Sequence, residues 1–200
     1  MKRPRVLIDV DGPLTDGFFE TACHHLRARG VDAKPWAISD WDIFKSFETS
    51  ARDEDAVRKI LRGPGIAASF SPRPGALEFL NEMRAWADVY AVTAPLDGSP
   101  TWAHERETWL IERLAFNPQH VISARDKSIV VGDVLIDDKF STVESWQAAH
   151  PESLAVLWRE AHNRKESWHT TAGDYDELRR TIAIKCFMSA TSAKTAVSEK

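Results

Sequence analysis

Two aspartates one residue apart, Asp9 and Asp11, follow the apolar run Val6, Leu7 and Ile8 and precede Gly12 and Pro13. Side chains two apart on an extended segment point the same way. Two carboxylates so placed repel unless a cation lies between them or one keeps a proton. A hard, oxygen-seeking metal such as Mg²⁺ removes the conflict. The pattern recurs: the run Val134 to Ile136 ends in Asp137 and Asp138, and the run Asp88 to Thr93 ends in a hydroxyl. Lys127 adds a cation shortly before the second acidic pair. Carboxylates that can bind a metal or attack phosphorus, beside a hydroxyl and an ammonium that suit phosphate oxygens, point to phosphoryl chemistry. Asp-Gly is also an ordinary turn dipeptide, so neither acidic pair decides the matter alone. The same polarity at successive strand ends does.

Such ends converge only if the strands lie parallel in one sheet. Short runs rich in Val, Ile and Leu suit strands buried on both faces, and ligands of open α/β sheets bind beyond their carboxyl ends. The spacing predicts strands over 6–8, 88–93, 120–123, 134–136 and 153–158, with a further apolar run at 129–131. It predicts helices over 17–29, 53–61, 76–86, 105–114 and 175–184, the third with Leu77, Leu80 and Met83 on its inner face. Strand, helix, strand is the rhythm of a doubly wound parallel sheet. Residues 17–70 interrupt it as a small helical insertion, rich in aromatics over 31–49 (Trp36, Trp41, Phe44, Phe47), that reads as a lid. The expected division is an α/β core of residues 1–16 and 71–188, a cap of 17–70 and a disordered tail of 189–200, which is small and polar.

The motifs DVDGPLTD (9–16), VTAP (92–95), RDK (125–127) and LIDDK (135–139) resemble, in order and spacing, the four motifs of haloacid dehalogenase-like phosphohydrolases. Within that superfamily, RDKSIVVGDVLIDDK, SPRPGALEFLNEM and the late Ser167-Trp168 resemble the 5'(3')-deoxyribonucleotidases. The resemblance covers roughly residues 5–180. It implies a Rossmann-like core and a Mg²⁺-dependent phosphomonoesterase acting on nucleoside monophosphates, with deoxyribonucleoside 5'(3')-monophosphates as the expected substrates. Asp9 is then the nucleophile, and Asp11 the group that protonates the leaving alcohol and later activates water. The metal falls to Asp9, Asp11 through its carbonyl, and Asp138 with Asp137 in support. Gly12, Thr93, Ala94 and Lys127 fall on the phosphate, and Trp41, Arg106 and Arg125 on the rest of the substrate. Pro13 has no amide to offer phosphate, and Ala94 stands where related nucleotidases often carry serine. The competing readings are a phosphatase of another small monoester, such as a sugar phosphate, and a non-catalytic binding protein on the same fold.

Composition agrees with a small-molecule enzyme. The chain has 200 residues, 43% of them hydrophobic, and a formal net charge of −4, a balance that gives no general electrostatic grip on nucleic acid. Cys23 and Cys186 stand far apart without metal-ligand spacing and read as thiols of a reducing compartment. The opening MKRPRVLIDVDG is too short and too broken in its apolar run for a signal peptide or a membrane span. The expectation is a cytoplasmic protein, independent of membranes, with a homodimer left open.

Overall fold

The apolar runs form the strands of one sheet in the computed structural model, which describes residues 3–184. They are β1 (Arg5–Ile8), β2 (Asp88–Thr93), β3 (Val121–Ser123), β4 (Val134–Asp137), β5 (Leu154–Trp158) and β6 (Thr171–Ala172). Their order is β3-β2-β1-β4-β5-β6, and each neighbouring pair is parallel. Alternate residues feed opposite faces. Val6, Ile8, Val89, Ala91 and Ile136 join one apolar cluster, and Leu7, Val92, Leu135 and Leu157 the other. Helices cover both faces: α4 (Ala76–Arg84) and α5 (Trp102–Leu114) pack on the first, α6 (Phe140–Ala149) on the second. The doubly wound α/β sheet expected from the sequence is the one observed.

The chain leaves β1 for β2 and β3 and then returns to β4 on the other side of β1. This reversal places the carboxyl ends of β1 and β4 side by side, where open α/β sheets bind ligands.

Between β1 and β2 lie α1 (Gly17–Arg27), α2 (Ala51–Leu61) and α3 (Ile66–Ser69), with 3₁₀ turns at Pro35–Ala37 and Ile43–Ser46. Ala22, Leu26, Ile38, Ile43, Val57 and Leu61 belong to a separate apolar cluster. Ser50 caps α2 by accepting from the Asp53 amide. Gly30 turns the chain after α1 with a φ of 87°, which suits a residue without Cβ. The outgoing and returning segments are tied together, with the Thr15 hydroxyl donating to the Ser71 carbonyl at 2.7 Å and the Arg73 amide to the Leu14 carbonyl at 2.8 Å. Gly17 lies flat against Phe70, where a Cβ would fall 2.2 Å from the ring. Ala67 and Phe70 pack into the sheet's cluster, not that of α1 and α2.

Several expectations are corrected. The apolar run 129–131 is not a strand: Ile129 and Val131 are 73% and 62% exposed, in a loop held by Lys127–Ile129 and by its tie to β1. Leu77 faces solvent, and Ala76, Phe79, Leu80 and Met83 form the inner face of α4. The helix α5 begins at Trp102, earlier than its apolar spacing indicated. Helices α3 and α6 and strand β6 had no clear periodicity. Residues 175–184 are helical as expected. Cys23 is buried, and burial pushes its thiol up to about 11; Cys186 and the expected tail of 189–200 lie outside the described residues. Among those residues no helix is long and apolar enough to cross a membrane.

Candidate active site

The register of β1 and β4 pairs Ile8 with Ile136, so Asp9 and Asp137 leave the sheet as neighbours. The Asp9 amide donates to the Ile136 carbonyl at 2.8 Å, which fixes this relation. One oxygen from each of Asp9, Asp137 and Asp138 lies within 4.8 Å of the others, and all three residues are buried. Lys127 reaches in from a short 3₁₀ turn whose cap, Asp126, accepts from the Ser128 amide at 3.0 Å. Its ammonium lies 2.7 Å from both Asp9 Oδ1 and Asp137 Oδ2. Burial alone would lower its pKa, but Asp137 and Asp9 outweigh that and hold it above the usual lysine value.

The two members of the second acidic pair have different surroundings. Both Asp137 oxygens are engaged: Oδ2 accepts from Lys127 and Oδ1 from the Lys139 amide at 2.9 Å. Asp138 has no hydrogen-bond partner on either carboxylate oxygen. Its backbone carbonyl accepts from the Asn163 amide group at 2.8 Å and lies 3.1 Å from His162 Nε2. His162 Nε2 also stands 3.5 Å from Oδ2. A buried carboxylate that accepts no hydrogen bond beside Asp9 is costly by itself and suited to a divalent cation. The donor set, all oxygen, fits a hard metal ion. Gly12 makes room for the Asp138 carboxylate. Its φ is 90°, and a Cβ there would fall 2.6 Å from Asp138 Oδ2.

Burial raises the Asp9 carboxyl to about 6, Asp137 adding to the rise and Lys127 opposing it, and burial with Asp9 and Asp137 pushes Asp138 well above the ordinary 3.8. A carboxyl with a higher pKa folded than unfolded binds its proton more tightly in the fold. Stability from that proton is complete at low pH and is lost as pH rises from 3.8 through about 6. A cation occupying the same oxygens replaces the proton. The expected result is that Mg²⁺ raises the thermal midpoint of chelator-treated protein by several degrees at about pH 7.5 and by clearly less at about pH 5. Equal increments at both pH values would contradict a cation bound by these carboxylates.

Other expected site residues sort by position. Thr93 ends β2, buried, its hydroxyl without a partner, and Ala94 follows it at the surface. Gly12, expected at the phosphate, donates its N–H to the Thr15 carbonyl at 2.8 Å. Asp11 is paired with Arg106, whose Nη2 lies 2.7 and 3.0 Å from its two oxygens. Burial raises the Asp11 pKa, Arg106 opposing and Asp9 adding. Arg125 stands on the surface in an ion pair with Asp97. Trp41, 43% exposed, meets His162 at 5.2 Å between centroids and Phe19 at 6.2 Å, with the Lys139 ammonium 5.0 Å from its ring. Phe44, by contrast, is a core residue of the α1–α2 cluster.

Sequence reasoning missed Arg73, Asp16, Glu160, His162 and Asn163. Arg73 Nε donates to the Gly12 carbonyl at 2.9 Å, and its guanidinium pairs with Asp16 and Glu160, bracing the loop after β1. Asp16, Phe19, Trp36, Arg73, Glu160 and His162 line part of a cleft of about 400 Å³ next to the acidic cluster. The polar run after β5 was the available signal, since it follows a strand's carboxyl end.

The family described as "5' nucleotidase, deoxy (Pyrimidine), cytosolic type C protein" matches residues 3–187. This chain belongs to that family. It is 33% identical over 169 residues to the human cytosolic-type 5'(3')-deoxyribonucleotidase, covering 80% of this chain and 82% of that one. It is 30% identical over 187 residues to a Bordetella bronchiseptica protein described as a putative 5'(3')-deoxyribonucleotidase, covering 92% and 98%. A solved haloacid dehalogenase-like protein of unknown function from Agrobacterium tumefaciens superimposes with a TM-score of 0.63 at 14% identity, covering 92% of this chain and 100% of that one. That likeness supports the fold, and family membership makes this chain a phosphomonoester hydrolase.

Proposed function

We propose that this chain is a Mg²⁺-dependent phosphatase of deoxyribonucleoside 5'(3')-monophosphates, working through an aspartyl-phosphate at Asp9. The observation that carries this reading is the pairing pattern of the acidic cluster. Lys127 neutralises Asp9 and Asp137, while Asp138 keeps two buried oxygens that accept no hydrogen bond beside them, with His162 Nε2 3.5 Å from Oδ2. Asp9, Asp138 and the Asp11 carbonyl would hold the cation, which when bound supplies positive charge opposite the transferring phosphoryl group. Asp9 attacks phosphorus, and the bond from phosphorus to the substrate oxygen breaks. Asp11 gives its proton to the departing alcohol and then takes one from the water that attacks phosphorus in the aspartyl-phosphate. Inorganic phosphate leaves and Asp9 is restored. The unpaired Thr93 hydroxyl donates to a phosphoryl oxygen, and the Lys127 ammonium neutralises charge that builds there.

Residues 17–70 act as the cap that excludes water over this site. Trp41 supports that assignment, since it touches His162, which in turn lies against the Asp138 carbonyl. Deoxyribonucleotide preference rests on the family and on the two named relatives. The likeness to the human cytosolic-type protein supports a cytoplasmic placement. The test is phosphate release from deoxyribonucleoside 5'- and 3'-monophosphates, ribonucleotides and sugar phosphates, with Mg²⁺ and with chelator. Mg²⁺-dependent turnover strongest on deoxyribonucleotides is expected. Preference for sugar phosphates would keep the site and discard the substrate, and chelator-resistant turnover would discard the metal.

A further inference from the structure

Arg106 has no exposed side-chain surface, whereas Asp11, its partner, is 26% exposed. Nη2 makes both hydrogen bonds to Asp11, at 2.7 and 3.0 Å, while Nε and Nη1 are buried without partners. The guanidinium lies 5.2, 4.8 and 5.5 Å from the ring centres of Phe70, Trp102 and Trp109. An arginine that leaves two donors unpaired inside an aromatic box is a poor device for stability, because an apolar side chain of similar volume would fill the box without burying a charge. Nor is its side chain open to a substrate, being fully buried where Asp11 keeps 26% exposure.

The box is built to stay still. Trp109 donates from Nε1 to the Phe70 carbonyl at 2.6 Å. Glu105, the neighbour of Arg106 on α5, accepts from the Gly65 and Ala67 amides at 2.7 and 3.1 Å. Gly17 closes against the other side of Phe70. Arg106 is thus fixed to the crossing point of the two segments that join residues 17–70 to the sheet, and its one polar output is Asp11.

We infer that Arg106 is a positioning residue for Asp11, holding the plane of the carboxyl group in the orientation from which its protonated form passes a proton to the leaving alcohol. This rests on the acid–base role given to Asp11 above. General acid catalysis matters for an alkyl leaving group and hardly at all for a phenolate that leaves readily. Loss of positioning therefore discriminates between the two, which a general loosening of the site would not.

The experiment compares kcat/KM for a deoxyribonucleotide and for p-nitrophenyl phosphate in the wild type, Asp11→Asn, Arg106→Met, Arg106→Lys and the Asp11→Asn/Arg106→Met double variant. Arg106→Met is expected to lower kcat/KM on the nucleotide by about 10²-fold, through kcat and not KM, and on the aryl phosphate by less than about threefold. Arg106→Lys recovers part of the loss. In the Asp11→Asn background Arg106→Met adds less than about twofold, because the arginine acts through the carboxylate. Equal losses on both substrates, additive losses in the double variant, or a rise in KM with kcat unchanged would overturn the inference. If circular dichroism shows Arg106→Met unfolded, the ratio of the two substrates in Arg106→Lys decides: a ratio equal to that of the wild type with both rates lowered would overturn it. If Asp11→Asn spares both substrates, the acid–base role of Asp11 falls first and the positioning role with it.

Discussion

Asp9→Asn is expected to lower phosphate release by about 10⁴-fold or more while leaving the fold intact. The amide keeps the volume of the carboxyl, and the site loses a buried charge whose pKa burial already raises to about 6. Lys127 retains Asp137 as its partner at 2.7 Å, so no cation is stranded. What disappears is the nucleophile, since an amide oxygen does not form a stable bond to phosphorus. Initial rates at saturating substrate, with far-UV circular dichroism of the same preparation, check both halves. Residual activity within about tenfold of the wild type would mean that another group attacks phosphorus.

Lys127→Met is expected to act on stability as much as on chemistry. The ammonium lies 2.7 Å from Asp9 and from Asp137, and all three groups are buried. Removing the cation leaves two close carboxylates without a counter-charge, which costs about 3–5 kcal/mol near neutral pH. The sign of the pH dependence follows. Without Lys127 the Asp9 carboxyl shifts upward, because the largest force lowering its pKa is gone. It takes up a proton as the pH falls, and the deficit relative to the wild type shrinks between about pH 7.5 and about pH 5. Urea unfolding midpoints at the two pH values measure this. A deficit that does not change with pH would mean that Lys127 stabilises by packing and not by charge.

The strand ends that carry this chemistry were legible because each ends an apolar run, and such runs have little choice but to be central strands. Asp9, Thr93 and the Asp137–Asp138 pair were found that way. Which of that pair stays free for a metal was not legible: it depends on the Lys139 amide and on Lys127, which take both Asp137 oxygens. Sequence spacing carries no record of such pairing. The link between Arg106 and Asp11 spans 95 residues and arises from how α5 packs, so a basic residue near the substrate was as far as the motifs led. Ile129 and Val131 misled for the opposite reason, being apolar residues left exposed. The helix α6 hid because Phe140–Ala149 mixes apolar and polar positions and buries only Val143 and Trp146 deeply. The close approach of Gly12 to Asp138, with a φ of 90°, was likewise not legible from the motif alone.

The covalent step at Asp9 is the centre of this account, and it is best caught by slowing the second half of the reaction. Asp11→Asn on p-nitrophenyl phosphate leaves the first step nearly intact, because that phenolate needs no proton to depart, while water attack on the aspartyl-phosphate loses its base. Acid quench followed by borohydride converts an aspartyl-phosphate to homoserine, which peptide mass spectrometry locates. A burst of about one p-nitrophenolate per enzyme and homoserine at position 9 are expected. Turnover by this variant with no burst and an unmodified Asp9, or homoserine at any other position, would contradict the covalent step at Asp9.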